Sequence, residues 1–259
     1  MNELEAIDEF VYAKGDTEYA RDQDAARTLN RKLKESTPSF IFVLKSGAHF
    51  PYENSYDTRE AVFHPHMGRE NIVAVTESAA RKDKELMINS YKNAIRLSID
   101  KFFATLLTGN TFRDSIVIYT SDHGQNLMDS DIELTHCSEG GSTPYEALVP
   151  LMVITDIPEW KNRFELSAAR NFDQASHFNV VPTLFEILGF DPKQVQAKHG
   201  PSLFEDLSVP NRFVSGHVSI DRRLSLGEHR PIRWNDGIHK LLDSGELSHD
   251  PIGFSNSNT

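Results

Sequence analysis

An apolar, β-branched run, Ile116-Val117-Ile118-Tyr119-Thr120, ends abruptly in Ser121-Asp122-His123-Gly124. A run of that composition predicts a strand buried on both faces, as in a parallel sheet. Its end sets a carboxylate and an imidazole side by side, and in open α/β sheets ligands bind at the carboxyl ends of the strands. Aspartate oxygen and histidine nitrogen are both zinc ligands, and Gly124 lets the backbone turn away sharply. A third imidazole, His136, follows at the end of a polar loop. A turn aspartate beside a hydrogen-bonded histidine explains the same short motif, so the rest of the chain has to decide.

Residues 17–35 predict a surface helix, with Ala20, Ala25 or Ala26, Leu29 and Leu33 as a thin apolar stripe. Ser39-Phe40-Ile41-Phe42-Val43-Leu44 reads as a second buried strand, running into a polar loop that carries Lys45 and His49. Two parallel strands would deliver His49 and the Asp122–His123 pair to one edge. Residues 53–80 are loop-like. His64 and His66 flank Pro65 there, and their irregular surroundings favour exposed loop histidines over a metal site. Apolar residues at helical spacing predict a long crossover helix over 80–107. A strand follows at 147–155, with Pro150 suited to its start or to an edge. A helix spans 175–188, in which Pro182 requires either a start near Asn179 or a kink. A short strand is expected at 212–215, and a loosely ordered tail over 221–259. With no repeat and no linker, the expectation is one α/β domain, mainly a parallel sheet flanked by helices.

Composition removes several function classes. The net charge of −11, from 27 basic and 38 acidic residues, argues against nucleic acid as the main partner. The single cysteine, Cys137, excludes an intrachain disulfide framework. No apolar run reaches the roughly 18 residues of a membrane span, and the acidic N-terminus, without a basic stretch and an apolar core, is not expected to be a signal peptide. Cys137 adjoins His136, but sequence neighbours rarely face each other as nucleophile and base.

Taken in order, the motifs resemble those of the alkaline phosphatase/sulfatase superfamily, most closely its phosphoethanolamine transferases. Ile41 to Leu44, continuing through His49-Phe50-Pro51-Tyr52, is similar to the family's strand and following His loop. Ile88-Asn89-Ser90-Tyr91-Lys92-Asn93 resembles its Asn-x-Tyr-Asp-Asn helix, with Lys92 in place of the Asp. Ser115 to Gly124 resembles its strand ending in Ser-Asp-His-Gly, and His136 falls where the family has a further His. Tyr145 to Pro150 and His177 to Leu184 resemble the strand and helix that follow. The likeness covers roughly residues 39–205. Gln125 stands where the family has Glu, Lys45 where it usually has His, and Cys137 where it has Gly.

The resemblance implies metal-assisted transfer of a phosphoryl-type or sulfuryl group, with one or two zinc ions. Asp122 and His123 would be metal ligands. His49 and His136 would flank the transferred phosphate as catalytic and substrate-binding groups, donating hydrogen bonds, protonating the leaving group or ligating a second metal, and Lys45 would add positive charge. It implies a phospholipid donor, an envelope glycan or lipid acceptor, and a place on the periplasmic face of the inner membrane. The family's acidic first ligand and its Thr or Ser nucleophile have no counterpart before Phe40. The chain is therefore expected to be the C-terminal portion of the catalytic domain, without the N-terminal half and its transmembrane helices, and inactive alone. A sulfatase, a phosphoglycerol transferase and a non-catalytic remnant are the rival expectations. His177 reads as a capping or packing residue, Glu139 and Glu146 as loop or strand-flank charges, and His217 and His239 carry no assigned chemistry.

Overall fold

The computed structural model describes residues 7–35, 37–68, 84–109, 113–128, 144–172, 174–207, 212–214 and 229–231. The chain divides into two compact units. One is Met1–Val117 with Leu127–Thr135 and Thr155–Ile157; the other is Ile118–Asn126 with His136–Ile154 and Pro158–Thr259.

In the first unit, α1 (Glu18–Lys32) starts where the Thr17 hydroxyl accepts the Ala20 N–H at 3.1 Å. Glu18 in its first turn and Arg31 and Lys32 in its last complement the helix dipole. Ala26 on α1 packs with Phe102 and Leu106. The expected 80–107 helix is present from Lys84, but in three pieces. These are α2 (Lys84–Ile95), a π turn (Arg96–Asp100) and α3 (Lys101–Leu106). Asn30 donates from Nδ2 to the Leu106 and Thr108 carbonyls at 2.7 and 3.0 Å, closing the C-terminus of α3. A second cluster joins Met87, Ala94 and Leu97 to Tyr52, Tyr56 and Met67.

The strand expected over residues 39–44 is not formed. Phe40, Phe42 and Leu44 are 67%, 79% and 86% exposed, and the segment makes no ladder. A strand needs a neighbour for its N–H and C=O groups. Among the described residues the only sheets pair β1 (Ile116–Thr120) with β2 (Leu151–Thr155), and β3 (Arg212–Val214) with β4 (His229–Pro231).

β1 and β2 lie where the sequence places strands, although their residues are half-buried rather than buried on both faces. Pro150 immediately precedes β2, where its absent N–H breaks no ladder. Between them lies the short α4 (Pro144–Ala147). In the second unit, α5 (Pro158–Asn171) opens with proline, which suits a first helical position, and buries Phe164, Ser167 and Asn171. α6 (Val180–Ile187) begins after a 3₁₀ turn at His177–Asn179, so Pro182 sits in its first turn and no kink is needed. α7 (Pro192–His199) is capped by Asp191, which accepts the Lys193 and Gln194 N–H groups at 2.8 and 3.2 Å. The chain after α7 folds back on α5. Asn171 donates to the Leu203 and Glu205 carbonyls at 2.9 and 2.7 Å and accepts the Leu207 N–H at 3.2 Å. β3 and β4 are antiparallel, with Phe213 opposite Arg230. Apart from β4, the expected tail at 221–259 lies outside the described residues.

Helices with small sheets make this an α/β fold. Among the described residues no helix is long and apolar enough to cross a membrane.

Candidate functional site

At the end of β1 the two candidate ligands face each other. Asp122 Oδ1 accepts the His123 N–H at 3.0 Å, which turns Oδ2 toward His123 Nε2 at 3.8 Å. His123 Nδ1 lies 2.7 Å from the Gly124 carbonyl. A carbonyl only accepts, so Nδ1 carries the proton and Nε2 the lone pair. The Ser121 hydroxyl donates to the His123 carbonyl at 2.9 Å and steadies the turn. The Asp122 side chain is 87% exposed and that of His123 31%. An oxygen and an imidazole nitrogen thus converge on one accessible point, with the imidazole's other nitrogen held by a carbonyl, as metal-ligating histidines are held.

Gly124 is required here for closeness rather than for turning. Its N–H donates to the Glu146 carbonyl at 2.8 Å. A Cβ at this position would collide with the Tyr145 carbonyl and lie 2.8 Å from that of Leu148. The backbone of α4 and its exit therefore fixes the level of the Asp122–His123 pair. Glu146, expected as a loop or strand-flank charge, is instead buried at 3% exposure. Gln125 Oε1, in the position where the resembling family has Glu, is buried without a hydrogen-bond partner among the described residues. His177 also reaches this strand end. Its Nε2 lies 3.2 Å from the Thr120 hydroxyl, while Ser176 and Asn179 supply the cap expected of it.

The Lys45–His49 loop belongs to the first unit. Lys45, expected to face the transferred group, has its ammonium turned inward. Nζ is 3.2 Å from Asp22 Oδ2, off the hydrogen-bonding angle, and 5.2 Å from the centre of the Phe102 ring. Burial pushes its pKa down, and the Asp22 carboxylate draws it partly back. Asp22 also accepts the Ser46 and Gly47 N–H groups at 2.8 and 3.0 Å. Gly47 takes a left-handed φ of +64°, which L side chains rarely adopt. His49 is exposed, and its carbonyl accepts the Ser55 hydroxyl at 3.3 Å.

Asp22 is a residue that the apolar pattern of α1 conceals. At 2% exposure it sits in line with Ala26, Leu29 and Leu33, so a carboxylate in a helix's inward stripe was the available signal. The structure thus brings Asp122 and His123 together, and Lys45 to Asp22. His136 lies outside the described residues, as do Cys137 and Glu139. Among the described residues no three His, Cys, Asp or Glu side chains gather as a metal-binding group. The strand-end pair has the donor chemistry of a zinc site but supplies two ligands, where catalytic zinc uses three from protein.

Comparison with known proteins bears on the same strand end. A family model described as Sulfatase matches residues 3–190, which include β1, β2 and α6. No curated protein and no solved structure matches the chain.

Proposed function

The chain belongs to the sulfatase family, and from that premise we propose that it contributes the Asp122–His123 metal pair of a zinc-dependent, phosphoethanolamine transferase-like enzyme. Members of this superfamily are typically metal-dependent. The observation that carries the reading is the strand-end pair, with His123 Nε2 and Asp122 Oδ2 facing each other at 3.8 Å.

Zinc bound there would lower the pKa of a coordinated oxygen and neutralise charge on the group being transferred. His123 would offer Nε2 to the metal, with the Gly124 carbonyl holding the Nδ1 proton. Asp122 supplies the anionic oxygen. In this reading His49 and His136 come to the transferred group, position it by hydrogen bonding and hand a proton to the leaving oxygen. Lys45 acts one step back, because its ammonium and the Asp22 carboxylate hold the base of the loop that carries His49. A further acidic ligand and an oxygen nucleophile complete the reaction, and this reading assigns neither to a residue of this chain. The donor is a phospholipid and the acceptor an envelope glycan or lipid, met at the periplasmic face of the inner membrane.

Calorimetric zinc titration of the chain and of its Asp122→Asn and His123→Asn variants tests the pair. Weak zinc uptake that falls at least tenfold in each variant is expected. Uptake unchanged by both substitutions overturns the assignment. Release of sulfate from an aryl sulfate, with no transfer from phosphatidylethanolamine, would make the enzyme a sulfatase instead.

A further inference from the structure

His64 and His66, in the first unit, stand on either side of Pro65 with ring centres 4.9 Å apart and planes inclined at 49°. An imidazole coordinated at about 2.1 Å has its ring centre about 3.2 Å from the metal. Two such rings on one ion stand about 4.5 Å apart at a right angle and about 5.2 Å apart at the tetrahedral angle. The observed spacing falls between these limits.

The loop that carries the two rings is fastened on both sides. On the upstream side Asn93 Oδ1 accepts the Val62 and Phe63 N–H groups at 3.0 and 3.1 Å, and Nδ2 donates to the Phe63 carbonyl at 2.9 Å. On the downstream side the Met67 N–H donates to Ser90 Oγ at 2.7 Å, and the Tyr56 hydroxyl donates to the Met67 carbonyl at 2.8 Å. Asn93, Ser90 and Tyr56 are all fully buried. A ligand arriving here has little chain left to order, and such preorganisation is where affinity is gained.

The His66 ring is also aimed. His66 Nδ1 lies 2.9 Å from the Met67 carbonyl and 3.2 Å from the Tyr56 hydroxyl. The carbonyl can only accept, so the proton sits on Nδ1 and the lone pair on Nε2. A carbonyl on the remote nitrogen is the outer-sphere contact that orients metal-ligating histidines. His64, exposed beside it, presents the second ring.

We propose that His64 and His66 form a second metal site, a two-imidazole chelate for a divalent transition ion, with water in the remaining positions. Imidazole donors favour Cu²⁺ over Ni²⁺ and Zn²⁺ and give little to Ca²⁺ or Mg²⁺, which take oxygen. The site uses no residue of the Asp122–His123 pair, so it stands or falls apart from the proposed activity.

The test uses the full chain with Asp122→Asn and His123→Asn, so that the strand-end pair contributes nothing. Titration with Cu²⁺, followed by electron paramagnetic resonance, should give one tight equivalent with coupling to two nitrogens. Adding His64→Asn or His66→Asn should weaken that equivalent at least tenfold and remove the two-nitrogen pattern. Tyr56→Phe keeps both ligands but loses an orienting contact, and should weaken binding several-fold. Circular dichroism checks that each variant is folded, and His64, being exposed, can be replaced without disturbing the core. Copper uptake and spectrum unchanged by His64→Asn overturn the proposal, as does the absence of any two-nitrogen signal in the parent.

Discussion

Burial holds the Lys45 ammonium below its ordinary pKa of 10.5 in the folded chain, and Asp22 only partly restores it. Between the lowered value and 10.5 the unfolded chain binds a proton that the folded chain does not. Stability therefore rises with pH across that window. Tyr19, Tyr56 and Tyr91 are raised by burial and act in the opposite sense as they titrate. The difference between the parent and Lys45→Met isolates the lysine, since both chains share the tyrosines. Urea denaturation at stepped alkaline pH should show the parent gaining on Lys45→Met as pH approaches 10.5. Asp22→Ala removes the partner and leaves both a buried ammonium and the Ser46 and Gly47 N–H groups without their acceptor. Breaking a buried pair of this kind costs about 3–5 kcal/mol, read as a drop in denaturation free energy. The lysine itself was legible as a charge near a loop, but its direction was not, because α1 supplies the carboxylate that turns it inward.

The run at 40–44 and the run at 116–120 look alike in sequence, and only the second is in a ladder. Apolar, β-branched composition says what a strand tolerates; pairing is decided by what lies alongside. Phe42→Ser should therefore change stability by no more than about 0.5 kcal/mol, as an exposed substitution does. Leu97→Ala in the π turn, where the side chain is 1% exposed, should cost about 2–5 kcal/mol. Equal losses in the two variants would show the 40–44 segment to be core. Helices α1 and α6 were legible from their apolar spacing. α5 was not read, because Ser167 and Asn171 fill inward positions with polar side chains that bind the returning chain. α7 has Val195 as its single buried residue, so its cap at Asp191 was the better signal. The strand-end pair was legible from two adjacent residues. The fastening of the His64–His66 loop was not, because Asn93 and Ser90 reach it from α2.

Each of the two units carries one proposed place where a ligand can act. A ligand that binds only the folded form stabilises the unit whose opening would destroy its site. Hydrogen exchange should then report the two metals separately. Copper at His64 and His66 should slow exchange over residues 61–67 and α2, and zinc at Asp122 and His123 should slow it over residues 118–126. Protection spread evenly over both units with either metal would show that they open together. The net charge of −11 adds a common feature: cation uptake at both places should slow as ionic strength rises.

The close approach at Gly124 also limits how the chain can be repaired. What a Cβ there would strike are carbonyl oxygens of residues 145 and 148, and every amino acid carries a carbonyl. In a library selected for variants that restore a Gly124→Ala chain, no change of side chain at those two positions can clear the collision. Rescue has to come from residues that shift the α4 backbone as a body, and any such shift would carry the level of Asp122 and His123 with it.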